Sequence, residues 1–135
     1  MLRVIAGEAY GFRAPTRVLS PTLYVHASLA AGAELDVDEA HEERAVYVAD
    51  GTIELDGQVH GEGTLLVLDQ GPARITAKIA ANLMLLGGAP LGPRHIFWNF
   101  VASSKERIER AKDDWRSGRF PKVPGDELEF IPLPE

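Results

Sequence analysis

Three histidines and one glutamate have the residue types of a metal site. His41 and Glu43 are one residue apart, and in an extended strand this spacing places both side chains on one face. With His26 and His60 they would supply three imidazoles and a carboxylate, a set that suits iron, nickel or zinc. The alternative is a solvated, charged strand edge, because the acidic stretch 34–39 comes just before His41.

Two arginines and a tyrosine are candidates for binding an acidic ligand. Arg44 and Arg74 each offer a fork of guanidinium donors that matches a carboxylate or a phenolate. Tyr24 lies on the less apolar face of a predicted strand and is the third candidate. For the two arginines, the alternative is a structural or surface ion pair with a nearby glutamate.

Two tryptophans and the hydroxyl residues offer less specific chemistry. Trp98 and Trp115 could stack on a planar ligand, but large aromatic side chains more commonly fill cores and interfaces. The sequence has no specific Ser-His-Asp arrangement, no GxGxxG and no P-loop motif. These patterns therefore do not predict a hydrolase or a nucleotide-binding protein.

The amino-acid composition excludes further classes of protein. The chain has 135 residues, 45% of them hydrophobic, which is enough for one domain with a buried core. Its net charge of −6 disfavours direct nucleic-acid binding, and the absence of cysteine excludes disulfides and thiolate metal sites. No apolar run approaches the roughly 18 residues of a membrane span, so we expect a cytoplasmic protein.

The elements that must position these side chains are short strands. Residues 22–86 alternate between apolar and polar types, the period typical of half-buried strands. Two Asp-Gly dipeptides, typical of primed hairpin turns, separate three of these strands and predict an antiparallel meander. The three strands are residues 44–49, 52–55 and 58–60. Seven or more strands at this spacing favour a barrel or a sandwich.

A single helix and an apolar tail follow the strands. The helix is predicted over about residues 103–117, with Ser103 as its N-cap and Glu106 completing a capping box. Its apolar residues are spaced three and four apart, so we expect this stripe to dock on the barrel or on a partner. The stripe consists of Ile108, Ala111 and Trp115. The tail, 118–135, is rich in proline and apolar enough to need a surface.

Several strings of residues resemble the pirin family of cupins. The most specific are Gly-Gly-Ala-Pro-Leu-Gly at 87–92 and Trp-Arg-Ser-Gly-Arg-Phe at 115–120. Residues 3–11 resemble the family's interdomain segment, and Ser-Pro-Thr-Leu-Tyr at 20–24 resembles the entry to its second barrel. Pirin-like proteins are two stacked barrels with the metal in the N-terminal one. The resemblance implies that this chain corresponds to the C-terminal barrel alone.

The fold that the resemblance implies is all-β. It is a single cupin barrel, a double-stranded β-helix or jelly roll, with one C-terminal α-helix and an extended Pro-rich tail. Residues 1–135 would then form one domain, with the barrel at about 1–100, the helix at about 103–117 and the tail at 118–135.

The resemblance leaves two functions open. The family includes bacterial quercetin 2,3-dioxygenases and nuclear metal-dependent transcription cofactors, but its histidine cluster lies in the half not matched here. A provisional alignment with the cupin motifs puts Arg44 and Arg74 at or near ligand positions. We therefore expect a noncatalytic module for assembly or small-molecule binding, with no metal cofactor. The alternative is a dioxygenase using iron or another divalent metal at His26, His41, Glu43 and His60.

The expected partners follow from the same features. We predict a homodimer in which residues 94–101 or 120–133 contact the second subunit, because apolar patches commonly mark interfaces. An N-terminal cupin barrel is the alternative partner for that surface. We also expect a small-molecule ligand, and neither nucleic acid nor a membrane.

Overall fold

Twelve strands and one helix make up the described residues, 1–134, of this computed structural model. They fall into two compact units, Met1–Pro90 and the residues from Leu91 onward. The strands of the first unit are β1 (Leu2–Ala9), β2 (Phe12–Arg13), β3 (Thr22–Leu29), β4 (Glu34–Asp36), β5 (Glu43–Asp50), β6 (Thr52–Leu55), β7 (Gln58–Gly61), β8 (Leu65–Leu68), β9 (Arg74–Ala77) and β10 (Ala81–Gly88). The second unit contains β11 (His95–Phe97), β12 (Phe100–Ala102) and α1 (Lys105–Arg116).

Two antiparallel sheets build the first unit. The larger has the order β2-β1-β3-β10-β5-β8, and the smaller has the order β4-β9-β6-β7. Consecutive β3 side chains point alternately into and out of the unit, and Leu23, Val25, Ala27 and Leu29 are the buried ones. The alternation predicted for this strand is confirmed, and it follows from the two-residue period of a strand.

Aliphatic side chains from both sheets form one continuous core. Val25, Val46, Ile53, Ile75 and Leu83 come from five different strands, and each is 0% exposed. Full burial of a side chain of this size contributes about 1.5–3 kcal/mol. Aliphatic side chains therefore make up most of the buried core of the first unit.

The predicted three-stranded meander is wrong in its first pairing. β6 pairs with β7 as predicted, but β5 lies in the larger sheet and β6 in the smaller one. The chain changes sheets at Gly51, whose φ is +86°. A Cβ at this position would overlap the Ala80 carbonyl oxygen, so the corner requires glycine. The Asp-Gly dipeptide marks a turn here, but not a hairpin.

The second unit packs a helix on a short hairpin. The predicted extended run 94–101 is divided between β11 and β12, which pair with each other. α1 packs against this hairpin, and Ile108 is its buried residue. The predicted apolar stripe thus docks on neighbouring residues of its own unit. No helix in residues 1–134 has the length and apolar character that crossing a membrane requires.

The N-cap of the helix lies one residue later than predicted. Ser104, not Ser103, is the N-cap, and its hydroxyl accepts a hydrogen bond from the Arg107 N–H at 3.4 Å. Glu106 therefore lies at the second helical position. Hydrogen bonds from its own N–H and from the Ser104 hydroxyl lower the pKa of its carboxyl. The negative charge is also stabilised by the helix N-terminus.

Candidate functional site

A cleft of about 980 Å³ opens on the surface of the first unit. One wall is the segment 7–22, which contains the end of β1, all of β2 and the connection to β3. The other wall is the loop between β4 and β5, through Asp38, Ala40 and His41. Alanine, proline, valine and leucine side chains supply much of the lining, and a few charged groups accompany them. An apolar pocket with a few polar groups is the usual form of a small-molecule site.

Tyr10 and Asp38 hold the two walls together. Tyr10 has a φ of +52°, and with Gly11 at +76° it forms the tight turn between β1 and β2. The Asp38 carboxylate accepts the Tyr10 backbone N–H at 2.8 Å, which offsets the strain of a non-glycine residue in this conformation. The Tyr10 hydroxyl in turn donates to the Asp36 carbonyl oxygen at 3.0 Å.

The protonation of these two groups follows from their contacts. The hydrogen bond from the Tyr10 N–H keeps the pKa of Asp38 below its ordinary value, so its carboxyl is ionised at neutral pH. Burial raises the pKa of the Tyr10 phenol, which therefore stays protonated and can donate. At neutral pH the ionised Asp38 carboxylate can therefore accept and the protonated Tyr10 hydroxyl can donate, so both hydrogen bonds of the cleft wall are formed.

His41 lies in the loop before β5, at the cleft wall. Its Nε2 is 3.0 Å from the Glu8 carbonyl oxygen, so Nε2 carries a proton and donates to that oxygen. The predicted strand face shared by His41 and Glu43 is wrong, because β5 begins only at Glu43. The cause is local: the Ala40 N–H donates to the Asp38 carboxylate at 2.9 Å, which turns the chain.

Two cations line the cleft, and one of them is paired. Arg13 donates from Nε and Nη2 to a single oxygen of Glu8, at 3.0 and 2.8 Å. Arg17 makes no ion pair with any residue in the described range 1–134. The side chain of Arg17 can therefore offer its guanidinium to an acidic group in the cleft.

Arg44 is buried at one end of the barrel interior. It is 3% exposed, and it lies on the same inward face of β5 as Val46 and Val48. Its Nη2 donates to the carbonyl oxygens of Asp69, at 2.8 Å, and of Gly71. Its Nη1 is buried without a partner among the described residues. The guanidinium thus tethers the loop between β8 and β9 and does not line the cleft.

Arg74 and Tyr24 lie away from Arg44. Arg74 is exposed and forms ion pairs with Asp36, at 2.6 Å, and Glu34, at 3.5 Å. The Arg74 hydrogen bond lowers the pKa of the Asp36 carboxyl. Tyr24 is on the outward face of β3, opposite Leu86. The structure does not bring the three predicted ligand-binding residues into one pocket, and their role stays a prediction.

The predicted metal ligands are distributed over separate surfaces. His26 is on the outward face of the larger sheet, whereas the register of β7 puts His60 on the same face as buried Ile53 in the smaller sheet. Glu43 is exposed, and His41 is engaged by a carbonyl oxygen. Within residues 1–134, no three histidine or acidic side chains converge as a metal site. These residues as placed do not fit a bound divalent ion.

The tryptophans pack among the aromatic rings of the second unit. Trp98 and Trp115 meet edge to face with centroids 5.2 Å apart, and Phe130 stacks on Trp115 at 5.7 Å. Trp115 Nε1 donates to the Ile131 carbonyl oxygen at 2.9 Å, which fixes the tail on the helix. This arrangement matches the packing interpretation of the two tryptophans.

Of the residues that line the cleft, the sequence singled out His41 but not Tyr10 or Arg17. Arg17 occurs in a stretch that shows neither periodicity nor a motif. The glycine and proline content of residues 7–22 was the available signal, because an ordered loop needs such residues. The contact of Tyr10 with Asp38 spans 28 positions and has no local signature.

The fold and its similarity to known structures define the class of protein. In this chain, the two antiparallel sheets around an aliphatic core form a cupin barrel, as the similarity to known structures shows. The structure resembles two crystal structures of quercetin 2,3-dioxygenase from Acinetobacter baumannii. One has a TM-score of 0.80 at 26% identity and covers 90% of this chain and 44% of that one. The other has a TM-score of 0.85 at 24% identity, with coverages of 99% and 47%.

The chain belongs to the pirin family. Residues 24–121 match the family model described as the Pirin C-terminal cupin domain. A "Pirin-like protein" from Caulobacter vibrioides is 46% identical over 134 residues, which cover 98% of this chain and 46% of that protein. The chain thus spans about half the length of the relatives it matches. The family and the single-barrel fold predicted from the sequence are both confirmed.

Proposed function

We propose that this chain is a noncatalytic cupin module that binds a small organic molecule in the cleft. The observation that carries the proposal is the cleft itself, about 980 Å³ in volume, whose two walls are joined by the Tyr10 and Asp38 contacts. A volume of this order suits a small ligand.

The lining favours an apolar ligand with one acidic group. Ala9, Ala14 and Leu19 supply apolar surface, while Arg17 supplies a fork of donors for a carboxylate or a phenolate. His41 donates from Nε2 to the Glu8 carbonyl oxygen, so Nδ1 is the ring nitrogen that remains for a contact with a ligand hydroxyl. A planar aromatic acid or phenol satisfies all three features.

Titration calorimetry with benzoate and with quercetin tests this proposal. We expect saturable binding of at least one of these probes and a loss of about tenfold in affinity for Arg17→Gln. Arg3→Gln is the matched control, because Arg3 is an exposed arginine of the same unit outside the cleft. No saturable binding, or equal affinity in both variants, would contradict the assignment of the cleft.

The alternative function is a metal-dependent dioxygenase of the quercetinase type. It is favoured by the likeness to the A. baumannii quercetin 2,3-dioxygenase structure at 26% identity. The predicted ligands are His26, His41, Glu43 and His60. Mass spectrometry of protein purified without chelators measures metal per chain, and the double variant His41→Ala, His60→Ala is the comparison. Near-stoichiometric metal that this variant loses would favour the dioxygenase, whereas metal far below one atom per chain would favour the binding module.

The partners and location expected from the sequence stay predictions. A homodimer is one proposal, for which the sequence predicted residues 94–101 or 120–133 as the interface, and light scattering tests the oligomeric state. A cytoplasmic location is the other, and fractionation of cells that produce the protein tests it.

A further inference from the structure

The outer edge of β8 is an unprotected strand edge. β8 is the last strand of the larger sheet, so one of its sides faces no neighbouring strand. Its four residues, Leu65–Leu68, are all apolar and carry no charge. Unpaired edges of this kind pair readily with another strand, and proteins commonly guard them with charges, proline or very short length.

The other edges of the two sheets differ from β8. β2 has only two residues and ends in an arginine, and β4 carries two carboxylates in three residues. β7 is the remaining edge, and it contains glutamine and histidine. Among the edges of the first unit, β8 alone combines four residues with a fully apolar sequence.

The register identifies which backbone groups point outward. The Val48 N–H donates to the Thr64 carbonyl oxygen at 2.9 Å, and opposed pairs alternate between bonded and non-bonded along an antiparallel ladder. The N–H and C=O groups of Leu66 therefore face β5. Those of Leu65 and Val67 face away from the sheet, and their side chains are 55% and 81% exposed.

We propose that two copies of this chain form a homodimer by antiparallel pairing of their β8 edges, with the two-fold axis at Leu66. In this register Leu65 of one copy lies opposite Val67 of the other, and the pair exchanges both N–H to C=O hydrogen bonds. The symmetric pair does the same, so all four outward donors and acceptors are satisfied. The isologous interface closes on itself, as the symmetry of a dimer requires.

Local charge repulsion does not oppose this register, although the chain has a net charge of −6. Beyond the strands, the same register places Asp69 opposite Gly63 and Glu62 opposite Gln70, so no two carboxylates face each other. Like charges directly opposite would destabilise a strand pair. The strand is thus complementary to itself in length, polarity and charge.

Sedimentation velocity over a micromolar concentration series tests the proposal. We expect a dimer for the wild type and a dissociation constant raised about tenfold or more by Val67→Lys, which places two cations at the interface. Val67→Pro removes an outward N–H and should act in the same direction, since proline is tolerated on a strand edge facing solvent. The matched control is Val59→Lys, at a 61% exposed valine on the β7 edge.

A single cysteine tests the register. The chain has no cysteine, so Leu66→Cys introduces a single thiol. In the proposed dimer the two-fold axis places this thiol beside the Leu66→Cys thiol of the second copy. Non-bonded antiparallel pairs have a Cα separation of about 4.5 Å, within the range of a disulfide. We expect Leu66→Cys to form a covalent dimer on mild oxidation faster than the more exposed Val59→Cys.

Three results would overturn the proposal. They are a monomeric wild type throughout the series, a dimer whose affinity Val67→Lys leaves unchanged, and an equal loss in Val59→Lys. A dimer that survives both Val67 variants would instead place the interface elsewhere, such as the 120–133 tail.

Discussion

Arg44 tests how a buried cation stabilises this barrel. The structure gives its guanidinium a structural role: Nη2 holds the carbonyl oxygens of Asp69 and Gly71, and the aliphatic stem fills the end of the core. Against these contributions stands Nη1, which is buried without a partner. Replacing Arg44 by alanine and by methionine separates the hydrogen bonds from the packing.

The sizes of these contributions predict different losses of unfolding free energy for Arg44→Ala and Arg44→Met. Each hydrogen bond from Arg44 contributes about 1 kcal/mol net, because the two loop carbonyl oxygens are only partly buried and regain water when it is lost. Alanine also removes two buried methylenes worth about 0.8 kcal/mol each. Relief of the unpartnered Nη1 returns about 1 kcal/mol in either variant. We therefore expect a loss of about 3 kcal/mol for Arg44→Ala and about 1 kcal/mol for Arg44→Met.

Urea denaturation followed by circular dichroism measures both losses. In thermal unfolding, Arg44→Ala should lower the midpoint by roughly 10 °C, since about 1 kcal/mol corresponds to roughly 3 °C at this chain length. A loss under about 0.5 kcal/mol for alanine would refute the structural role of Arg44. Equal losses for alanine and methionine would refute the packing contribution and leave the hydrogen bonds as the main source.

Three further substitutions test the cleft and the tail. Gly7→Ala should destabilise by about 2 kcal/mol or more, because Gly7 has a φ of +81° and a Cβ would overlap the Thr22 carbonyl oxygen; chemical denaturation checks this. Asp38 has a lowered folded pKa, so it stabilises the fold above its unfolded value of about 3.9, and this contribution is lost as the pH falls through the folded value. The urea midpoint should therefore fall less on acidification in Asp38→Asn than in the wild type, and an identical pH dependence would contradict the assignment. Trp115→Phe removes the hydrogen bond to the Ile131 carbonyl oxygen, at a cost of about 1 kcal/mol, and chymotrypsin should then cleave the tail faster. An unchanged cleavage rate would show that this bond does not hold the tail.

Local patterns in the sequence identify most of the elements correctly. The period of two along β3 separates buried Leu23 and Val25 from the half-exposed residues between them, because side-chain direction in a strand depends only on position. The helix prediction is also correct, because apolar residues spaced three and four apart lie on one face of a helix, and this face contains the buried Ile108. The strings at 87–92 and 115–120 also sufficed to indicate the pirin family, which the match to residues 24–121 confirms.

Sheet membership and side-chain partners were decided by the tertiary structure. The Asp-Gly dipeptide at Gly51 determines only the local turn of the backbone. Whether β6 pairs with β5 or crosses to the smaller sheet depends on how the two sheets bury their apolar faces against each other. Arg44 reaches carbonyl oxygens 25 and 27 positions away, and Tyr10 reaches Asp38 across 28. The sequence thus determined the strands, the helix and the family through short-range periodicity and motifs. The cleft and the tether of Arg44 arise from long-range packing, in which polar groups take whichever partners the buried core brings within reach.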